Sequence, residues 1–155
     1  MKHVLDTIDK KIIELLQKNG RIPLKRIADE VFLSPPTVSA RIDRLEKAGI
    51  ITGYSVSVNP EAFDYHIKAF INVEVEPVRK KEFYPYIEKI PNVIECNCVT
   101  GDYSMLMEVF FHTTTDLDQF VGQLQHFGRT KTQIVFSTSV EHRGIPVEYS
   151  EEDDR

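Results

Sequence analysis

The stretch LSPPTVSARIDRL, Leu33 to Leu45, decides how the first part of this 155-residue chain is interpreted. A serine and two prolines come first, and Val38, Ile42 and Leu45 then follow at helical spacing. Serine is a favoured N-cap and proline suits the first helical turn, so the double proline predicts the start of a helix. The opposite side of this helix carries small, hydroxyl or charged residues, namely Pro36, Thr37, Ala40, Asp43, Arg44 and Lys47. Such a face can lie flat against another molecule.

Two short helices are predicted before this one. The first begins at Asp6, which can cap a helix together with Asp9, and it ends near Gly20. Its apolar side holds Ile8, Ile12, Leu15 and Leu16. The second begins near Pro23 and buries Leu24, Ile27, Ala28 and Val31. Three short helices with a tight turn between the last two make a helix-turn-helix, in which the last helix enters the DNA major groove.

The candidate DNA-binding residues lie on this third helix and at its start: Ser34, Pro36, Thr37, Ser39, Ala40, Arg41, Arg44 and Lys47. The hydroxyls of Thr37 and Ser39 can reach bases or phosphates, and Ala40 can meet a thymine methyl group. Arg41, Arg44 and Lys47 are expected to reach mostly phosphates. The pattern alone also fits a three-helix packing unit whose third helix is simply solvated.

The net charge of −5 hides an uneven distribution. Residues 1–60 hold ten basic and seven acidic side chains, whereas residues 61–155 hold nine and seventeen. A basic N-terminal part joined to an acidic C-terminal part is expected when only one end meets phosphate. We therefore predict a DNA-binding domain with an extended linker over residues 1–60, a second domain over residues 61–143, and an acidic, solvated tail over residues 144–155.

The second domain shows a β-α-β-β-α-β order. HIKAFINVEVE, beginning at His66, alternates as a half-buried strand, and a helical face follows between Val78 and Ile90. NVIECNCVT and YSMLMEVFF are two further strands around a turn at Gly101-Asp102. Thr113 to Asp116 can cap a second helix, and KTQIVFSTSVEH is the fourth strand. This order predicts an α+β chain with a ferredoxin-like second domain.

Both helices of such a domain cover one face of the sheet and leave the other face open. On the open face the sequence places apolar residues that depend on the register, including Phe70, Val99, Leu106, Phe110 or Val135. An apolar surface of this kind is best covered by a second copy of the chain, which predicts a homodimer. A dimer would also set two recognition helices about 34 Å apart on a palindromic site.

Other classes of site have little support in the sequence. Apolar runs are too short for a membrane span, and no secretory leader is evident, so we predict a cytoplasmic protein. Cys96 and Cys98 are too close for a favourable disulfide and are expected to be small buried core residues. The five histidines are dispersed, and we predict neither a metal site nor a cofactor.

Several stretches together resemble the Lrp/AsnC family of transcription regulators, the feast/famine proteins. They are LDTIDKKIIELLQKNGRI, LSPPTVSARIDRLEKAGIITGY, Asn59-Pro60 and ECNCVTGDYSMLMEV, in the order and spacing of that family. The resemblance implies a winged helix-turn-helix followed by a RAM-type ferredoxin-like domain, and a dimer that assembles to tetramers or octamers. It also implies binding of double-stranded DNA and of a small effector, usually an amino acid.

The effector-binding residues that the resemblance implies lie between the second and third strands: Thr100, Gly101, Asp102, Tyr103 and Ser104. The chemistry is coherent, because glycine lets backbone N–H groups approach a carboxylate and an aspartate can pair with an ammonium group. Gly-Asp also simply makes turns in many hairpins, and that alternative stays open on the sequence.

The chain departs from the family at Phe32, where members commonly have glycine. A phenylalanine is costly at positive φ, so we expect either a different turn or a ring packed against the first helix. Ala40 and Asp43 also replace residues that are often basic in the family.

Two other functions are open to a chain that resembles this family. Sirohaem decarboxylases share the domain pair and would use His112 or His126, but no acid–base pair or nucleophile is evident, and we predict no enzyme activity. The other alternative is an architectural protein that compacts DNA without an effector.

Overall fold

A computed structural model describes residues 5–149, which form two compact units. The first unit holds the residues up to Ser57 together with those from Val140 onward, and the second holds Val58–Ser139. The first contains α1 (Thr7–Lys18), α2 (Leu24–Glu30) and α3 (Pro35–Lys47). None of the helices described is long and apolar enough to cross a membrane.

The starts of α1 and α3 are set by the predicted capping residues. The Asp6 carboxylate accepts a hydrogen bond from the backbone N–H of Asp9 at 2.7 Å, and the Asp9 carboxylate accepts one from Asp6 N–H at 3.3 Å. This reciprocal pair satisfies N–H groups that a helix start leaves without partners. Ser34 caps α3, and Pro35 is its first residue. The interpretation of the double proline as a helix start is confirmed.

The three helices of the first unit pack around a small apolar cluster. Ile12 of α1, Ile27 and Ala28 of α2, and Val38 of α3 are buried together. Ile42 packs against this cluster, and Leu45 is 1% exposed. The stripe Val38, Ile42 and Leu45 therefore faces inward, and the opposite face of α3 is left to solvent.

The second unit is a four-stranded antiparallel sheet with two helices. In chain order it contains β1 (Ile67–Val73), α4 (Lys80–Glu88), β2 (Val93–Cys98), β3 (Met105–Phe111), α5 (Thr114–Leu124) and β4 (Thr130–Ile134). Short 3-10 helices precede β1 at Pro60–Phe63 and α4 at Pro77–Arg79. The strand order is β2-β3-β1-β4, the predicted ferredoxin-like arrangement. The fourth strand ends at Ile134, several residues earlier than predicted.

The core of this unit lies between the sheet and the two helices. From the sheet it takes Ala69, Ile71 and Val73 of β1 with Met105, Met107 and Val109 of β3, all at most 1% exposed. From the helices it takes Phe83, Ile87, Leu117, Phe120 and Leu124. The alternation predicted for β1 is confirmed, and β3 shows the same pattern, because every second residue of both strands points into this core.

The other face of the sheet combines aromatic and charged side chains. Lys68 of β1 lies opposite Phe110 of β3, and Phe70 lies opposite Glu108. Lys68 Nζ is 2.9 Å from a carboxylate oxygen of Glu108 and 5.7 Å from the ring centroids of Phe70 and Phe110. Leu106 also lies on this face, opposite Asn72 of β1. The face therefore remains partly apolar, although one ion pair crosses it.

The segment after Val140 behaves differently from the free tail that we expected. Gly144 lies so close to Gln17 of α1 that a Cβ at this glycine would overlap the glutamine amide. The hydroxyl of Tyr149 donates to the carboxylate of Glu14 at 3.2 Å, and Lys10 Nζ lies 5.9 Å from the Tyr149 ring centroid. Gly144 and Tyr149 thus contact α1, although most of residues 144–149 are exposed to solvent as predicted, and the rest of the predicted acidic tail lies outside the described residues.

Candidate nucleic-acid interface and effector loop

Six residues of α3 form the solvent face that the sequence predicted to meet another molecule. Pro36, Thr37, Ala40, Asp43, Arg44 and Lys47 are exposed, whereas Ser39 and Arg41 are half-buried. The first two turns therefore present small and hydroxyl groups, and the charged groups follow at the C-terminal end. A flat N-terminal half can approach base edges closely, and the charged half can meet the phosphates beside them.

The cap of α3 uses two of the predicted DNA-binding hydroxyls. Ser34 Oγ accepts from the backbone N–H of Thr37 at 3.4 Å and shares a hydrogen bond with Thr37 Oγ1 at 2.7 Å. Each hydroxyl has one donor and two acceptor positions, so both groups retain capacity for a further hydrogen bond. The cap holds the Thr37 side chain at the exposed start of the helix.

Two of the predicted phosphate-binding residues are also bound to α1. Arg41 Nη1 lies 2.6 Å from Asp6 Oδ2 and 2.8 Å from Asp9 Oδ1, and Arg44 Nη2 lies 2.5 Å from Asp9 Oδ2. Asp9 is only 1% exposed, while the Arg44 side chain remains 57% exposed. The arginines thus fasten α3 to α1, and Lys47 has no ion pair among residues 5–149.

The ion pairs change the acidity of the groups that they join. Partial burial raises the pKa of Asp6, but hydrogen bonds from Arg41 and from the Asp9 N–H outweigh it and leave the pKa of Asp6 below its usual value. The hydrogen bond to Asp6 raises the pKa of Arg41 against the effect of its own partial burial. Both groups therefore stay charged at neutral pH, as the ion pair between them requires.

Asp9 is a residue that the sequence-based interpretation missed. It was assigned only to the helix cap, yet its carboxylate also receives two guanidinium groups from α3. The available signal was the spacing of Arg41 and Arg44, three residues apart and hence on neighbouring positions of one helix. That spacing does not reveal which acidic residue lies opposite.

Phe32 contradicts both expectations for the turn before α3. It adopts the left-handed conformation with φ 55°, so the turn keeps the geometry that favours glycine. Its side chain is 94% exposed and is not packed against the first helix. The neighbours Val31 and Leu33 both pack in the apolar cluster, and the chain reversal between them turns the ring outward.

The predicted effector loop, Thr100 to Ser104, lies between β2 and β3. Gly101 has φ 109°, a region that residues with a Cβ rarely adopt, and Thr100, Gly101 and Asp102 are exposed. Ser104 Oγ accepts from the backbone N–H of Val75 at 3.0 Å and also approaches the carbonyl oxygen of Val73. This hydroxyl therefore binds the end of β1 and fixes the base of the loop.

Arg129 and Glu74 lie beside this loop and were not predicted from the sequence. The Arg129 guanidinium stands 5.1 Å from the ring centroid of Tyr103, and its Nε donates to the carboxylate of Glu74 at 3.0 Å. Gly128 makes this possible, because a Cβ at this position would overlap the carbonyl of Glu74. The two terminal nitrogens of Arg129 remain able to bind a carboxylate.

A cavity with a volume of about 390 Å³ lies near the opposite end of the sheet from this loop. His112 at its wall stacks on Tyr65 with ring centroids 4.3 Å apart, and its Nδ1 lies 2.8 Å from the carbonyl oxygen of Asp64. Asp116, which also lines the cavity, accepts hydrogen bonds from the N–H and hydroxyl of Thr113 in the cap of α5. The carboxylate near His112 is therefore used in the helix cap.

The two cysteines are reduced and differ in their surroundings. Cys96 is half-buried against the core, and burial together with the nearby Cys98 raises the pKa of its thiol. Cys98 is exposed, so the expectation of two buried core residues is wrong for this one. Cys98 is the last residue of β2, which is an edge strand of the sheet and has a neighbouring strand on one side only. Within residues 5–149, no group of His, Cys, Asp and Glu has the arrangement of a metal site.

Comparison with known families agrees with this arrangement of domains. A winged helix-turn-helix DNA-binding domain matches residues 5–52, and the Lrp/AsnC ligand binding domain matches residues 68–145. The HTH-type transcriptional regulator FL11 of Pyrococcus furiosus is 37% identical over 150 residues, which cover 95% of this chain and 99% of the relative.

Solved structures with the same fold include regulators that hold a ligand. A transcriptional regulator of Neisseria meningitidis in complex with L-methionine has a TM-score of 0.85 and 30% identity, covering 92% of this chain and 97% of its own. A feast or famine regulatory protein of Mycobacterium tuberculosis, complexed with L-methionine, also has a TM-score of 0.85, with 28% identity, covering 92% of this chain and 99% of its own.

Proposed function

The chain belongs to the Lrp/AsnC family of transcriptional regulators, and we propose that it binds specific DNA sequences under the control of a small effector, an amino acid. The exposed face of α3 is the observation that carries the DNA-binding part of the proposal. Its N-terminal half is small and polar, and its C-terminal half is charged. A helix with these properties reads base edges with its first turns and binds phosphates with its last.

Within this interface the residues divide into three groups. The residues that face the bases are Pro36, Thr37, Ser39 and Ala40. The Ser34 hydroxyl belongs to the same group and also caps the helix. Lys47 binds phosphate. Arg41 and Arg44 orient α3 through Asp9, and the more exposed Arg44 also adds positive charge at the DNA backbone.

The loop Thr100–Ser104 is the proposed effector site. Gly101 leaves its backbone N–H accessible to a carboxylate, and Asp102 is exposed and able to pair with an ammonium group. Arg129, held by Glu74 and stacked over Tyr103, supplies a second partner for the carboxylate. An α-amino acid carries both of these charged groups on one carbon, and two structural relatives were solved with L-methionine.

The outer face of the sheet is the proposed dimer interface. Phe70, Leu106 and Phe110 are only half-buried in the single chain, and a second copy related by a twofold axis would cover them. The ion pair of Lys68 and Glu108 lies between these side chains and would help to set the register. We expect dimers to assemble further to tetramers or octamers, and the regulator to act without a cofactor or a catalytic step.

DNA binding and effector binding are tested with the full-length protein in two linked experiments. A random-sequence pool of duplexes is selected with the purified protein, and a common motif is the expected result. Thermal melting is then measured with each of the twenty amino acids, and one or a few are expected to raise the melting temperature. Light scattering with and without that amino acid measures the assembly state. A chain that is monomeric and enriches no duplex in dilute buffer would contradict the proposal.

The same experiments separate a regulator from an architectural DNA-binding protein. An architectural protein would bind duplexes without a common motif and would gain no stability from any amino acid. A regulator with a coupling of about 1–3 kcal/mol between its sites would change its DNA affinity about 5- to 150-fold on binding the effector.

A further inference from the structure

Phe32, in the turn between α2 and α3, combines two unfavourable features. Its backbone is left-handed at φ 55°, which is unusual for a bulky residue, and its side chain is 94% exposed. Isolated exposed aromatics and isolated strained residues both occur in proteins. Their coincidence at one position beside a binding surface points to a contact that the isolated chain does not make.

The fold needs the left-handed conformation but does not need the ring. At the end of α2, Val31 N–H donates to the carbonyl oxygen of Ile27, and Leu33 N–H donates to the carbonyl oxygen of Ala28 at 3.0 Å. The chain must therefore reverse its direction between Val31 and Leu33. Val31 and Leu33 then both reach the apolar cluster. Glycine would make the same reversal without strain, and it would leave no apolar surface in water.

The position of Phe32 links it to the reading surface of α3. It stands two residues before the N-cap Ser34, and the exposed residues Pro36 and Thr37 follow in the first turn. In a helix-turn-helix, the start of the recognition helix lies closest to the bases, and the turn before it therefore lies at the edge of the major groove. Phe32 is therefore an exposed apolar side chain close in the chain to the exposed start of α3.

We propose that Phe32 is a DNA-contacting residue, whose ring packs against a thymine methyl group and the adjoining deoxyribose at the edge of the major groove. This inference rests on the proposed DNA-binding function. Phenylalanine is a known apolar partner of the thymine methyl, and the sugar offers a further apolar surface. The contact covers the exposed ring and offsets the strain at the turn, and it gives the protein a preference for thymine at one position of its site.

An apolar contact has a distinctive salt dependence. The salt dependence of DNA binding counts the phosphates that cations neutralise, and a phenyl ring neutralises none. Loss of the ring therefore weakens binding by the same factor at every salt concentration. Loss of a phosphate-binding lysine instead reduces the slope of log affinity against log salt by about one. The two kinds of contact can be separated by titration.

The test uses the full-length protein and a duplex that the wild type selects from a random-sequence pool. Phe32→Gly is compared with Phe32→Tyr, which keeps the ring, and with Lys47→Ala, which removes a charge. Affinity is measured by fluorescence anisotropy at several salt concentrations, and thermal melting is measured for each protein. In a further series of duplexes, each thymine of the selected site is replaced in turn with uracil, which lacks the methyl group.

We expect Phe32→Gly to melt higher than the wild type, because the strain is relieved, and yet to bind about tenfold more weakly, the size expected for lost burial of part of an aromatic ring. Its salt slope should equal that of the wild type, and Phe32→Tyr should bind like the wild type. One thymine-to-uracil change should weaken the wild type but not Phe32→Gly.

Three results would overturn the inference while leaving DNA binding intact. They are affinity of Phe32→Gly within twofold of the wild type, a changed salt slope, or a lower melting temperature, which would show that the ring supports the fold. Failure of the wild type to enrich any duplex would instead remove the proposed function and this inference with it.

Discussion

The carboxylate of Asp9 on α1 accepts a hydrogen bond from Nη2 of Arg44 on α3 at 2.5 Å, although Arg44 stands on the exposed face predicted to meet DNA. Arg41 binds the same carboxylate at 2.8 Å. Part of the positive charge of α3 is therefore used to hold this helix against α1. In the proposed interface the same arginines serve stability and DNA binding, so the two effects must be separated by the choice of substitutions.

Removal of the charge of Asp9 should lower the stability of the helix-turn-helix. Asp9 is 1% exposed and pairs with two arginines, so Asp9→Asn leaves both guanidinium groups without their buried anion. We expect the free energy of unfolding to fall by about 3 kcal/mol, measured by urea denaturation. Asp43→Asn, an exposed change on α3, is the matched control and should alter it by less than about 0.5 kcal/mol. Equal effects of the two changes would contradict the buried ion pair.

Lys47 should bind phosphate without contributing to the fold. It is exposed in the last turn of α3, and Lys47→Ala should weaken binding to all duplexes alike while reducing the salt slope by about one. Arg41→Ala should mainly lower the melting temperature, because this side chain is held by Asp6 and Asp9. Arg44→Ala should show both effects. Gel-shift titrations at several salt concentrations, with melting curves, distinguish the three; an unchanged slope for Lys47→Ala would count against its role.

Thr37 should control sequence preference and not overall affinity. Thr37→Val keeps the shape of the side chain but removes the hydroxyl, which also bonds to Ser34 in the cap. We expect the motif selected from a random pool to change at one position, with discrimination at that base reduced by about 1–3 kcal/mol. Ser34→Ala, which removes the cap acceptor, should lower helix stability as well and serves as the comparison. A motif that is unchanged in Thr37→Val would exclude Thr37 from base recognition.

Arg129 should bind the carboxylate of the effector. Arg129→Gln removes the guanidinium that Glu74 holds beside Tyr103, and we expect the dissociation constant of the stabilising amino acid to rise about tenfold or more. Isothermal titration calorimetry with the amino acid identified by thermal melting measures this change. Lys89→Gln, an exposed cation at the end of α4, is the control and should bind normally. A similar loss in both variants would indicate a general effect of charge.

The pH dependence of stability should include a contribution from Glu14 on α1. Hydrogen bonds from Lys18 and Lys11 lower the pKa of Glu14 from its usual 4.5 to about 2. A carboxyl whose pKa is lowered by folding stabilises the protein fully above its unfolded pKa, and this contribution is lost as the pH falls from about 4.5 toward 2. It is modest, because Glu14 is only half-buried and its partner Lys18 is largely exposed to solvent, which screens the ion pair.

Urea midpoints measured from about pH 5 to about pH 2.5 check the effect of Glu14. The midpoint of the wild type should fall more steeply with acidification than that of Glu14→Gln, whereas Glu30→Gln, on α2, should follow the wild type. Parallel curves for the wild type and Glu14→Gln would show that the ion pairs with Lys18 and Lys11 do not contribute.

Local chemistry made most of the helix and strand positions predictable. The Asp6 and Ser34 caps, the double proline and the apolar stripe of α3 depend on residues within a few positions of each other, and all are found in the structure. The alternation in β1 predicted a half-buried strand for the same reason. The pattern predicted the last strand too long, because the sequence alone does not show where hydrogen bonding to β1 stops.

The sequence by itself therefore determined the elements, their order and the face of α3 that solvent or DNA can reach, because these follow from period and capping over short distances. Only the tertiary structure decided that Asp9 meets Arg41, 32 residues away, and that Arg129 stacks on Tyr103. It also decided that Phe32 points outward, because Val31 and Leu33 both enter the core. Such contacts depend on how distant segments pack against each other, and no periodic pattern in the sequence indicates that packing.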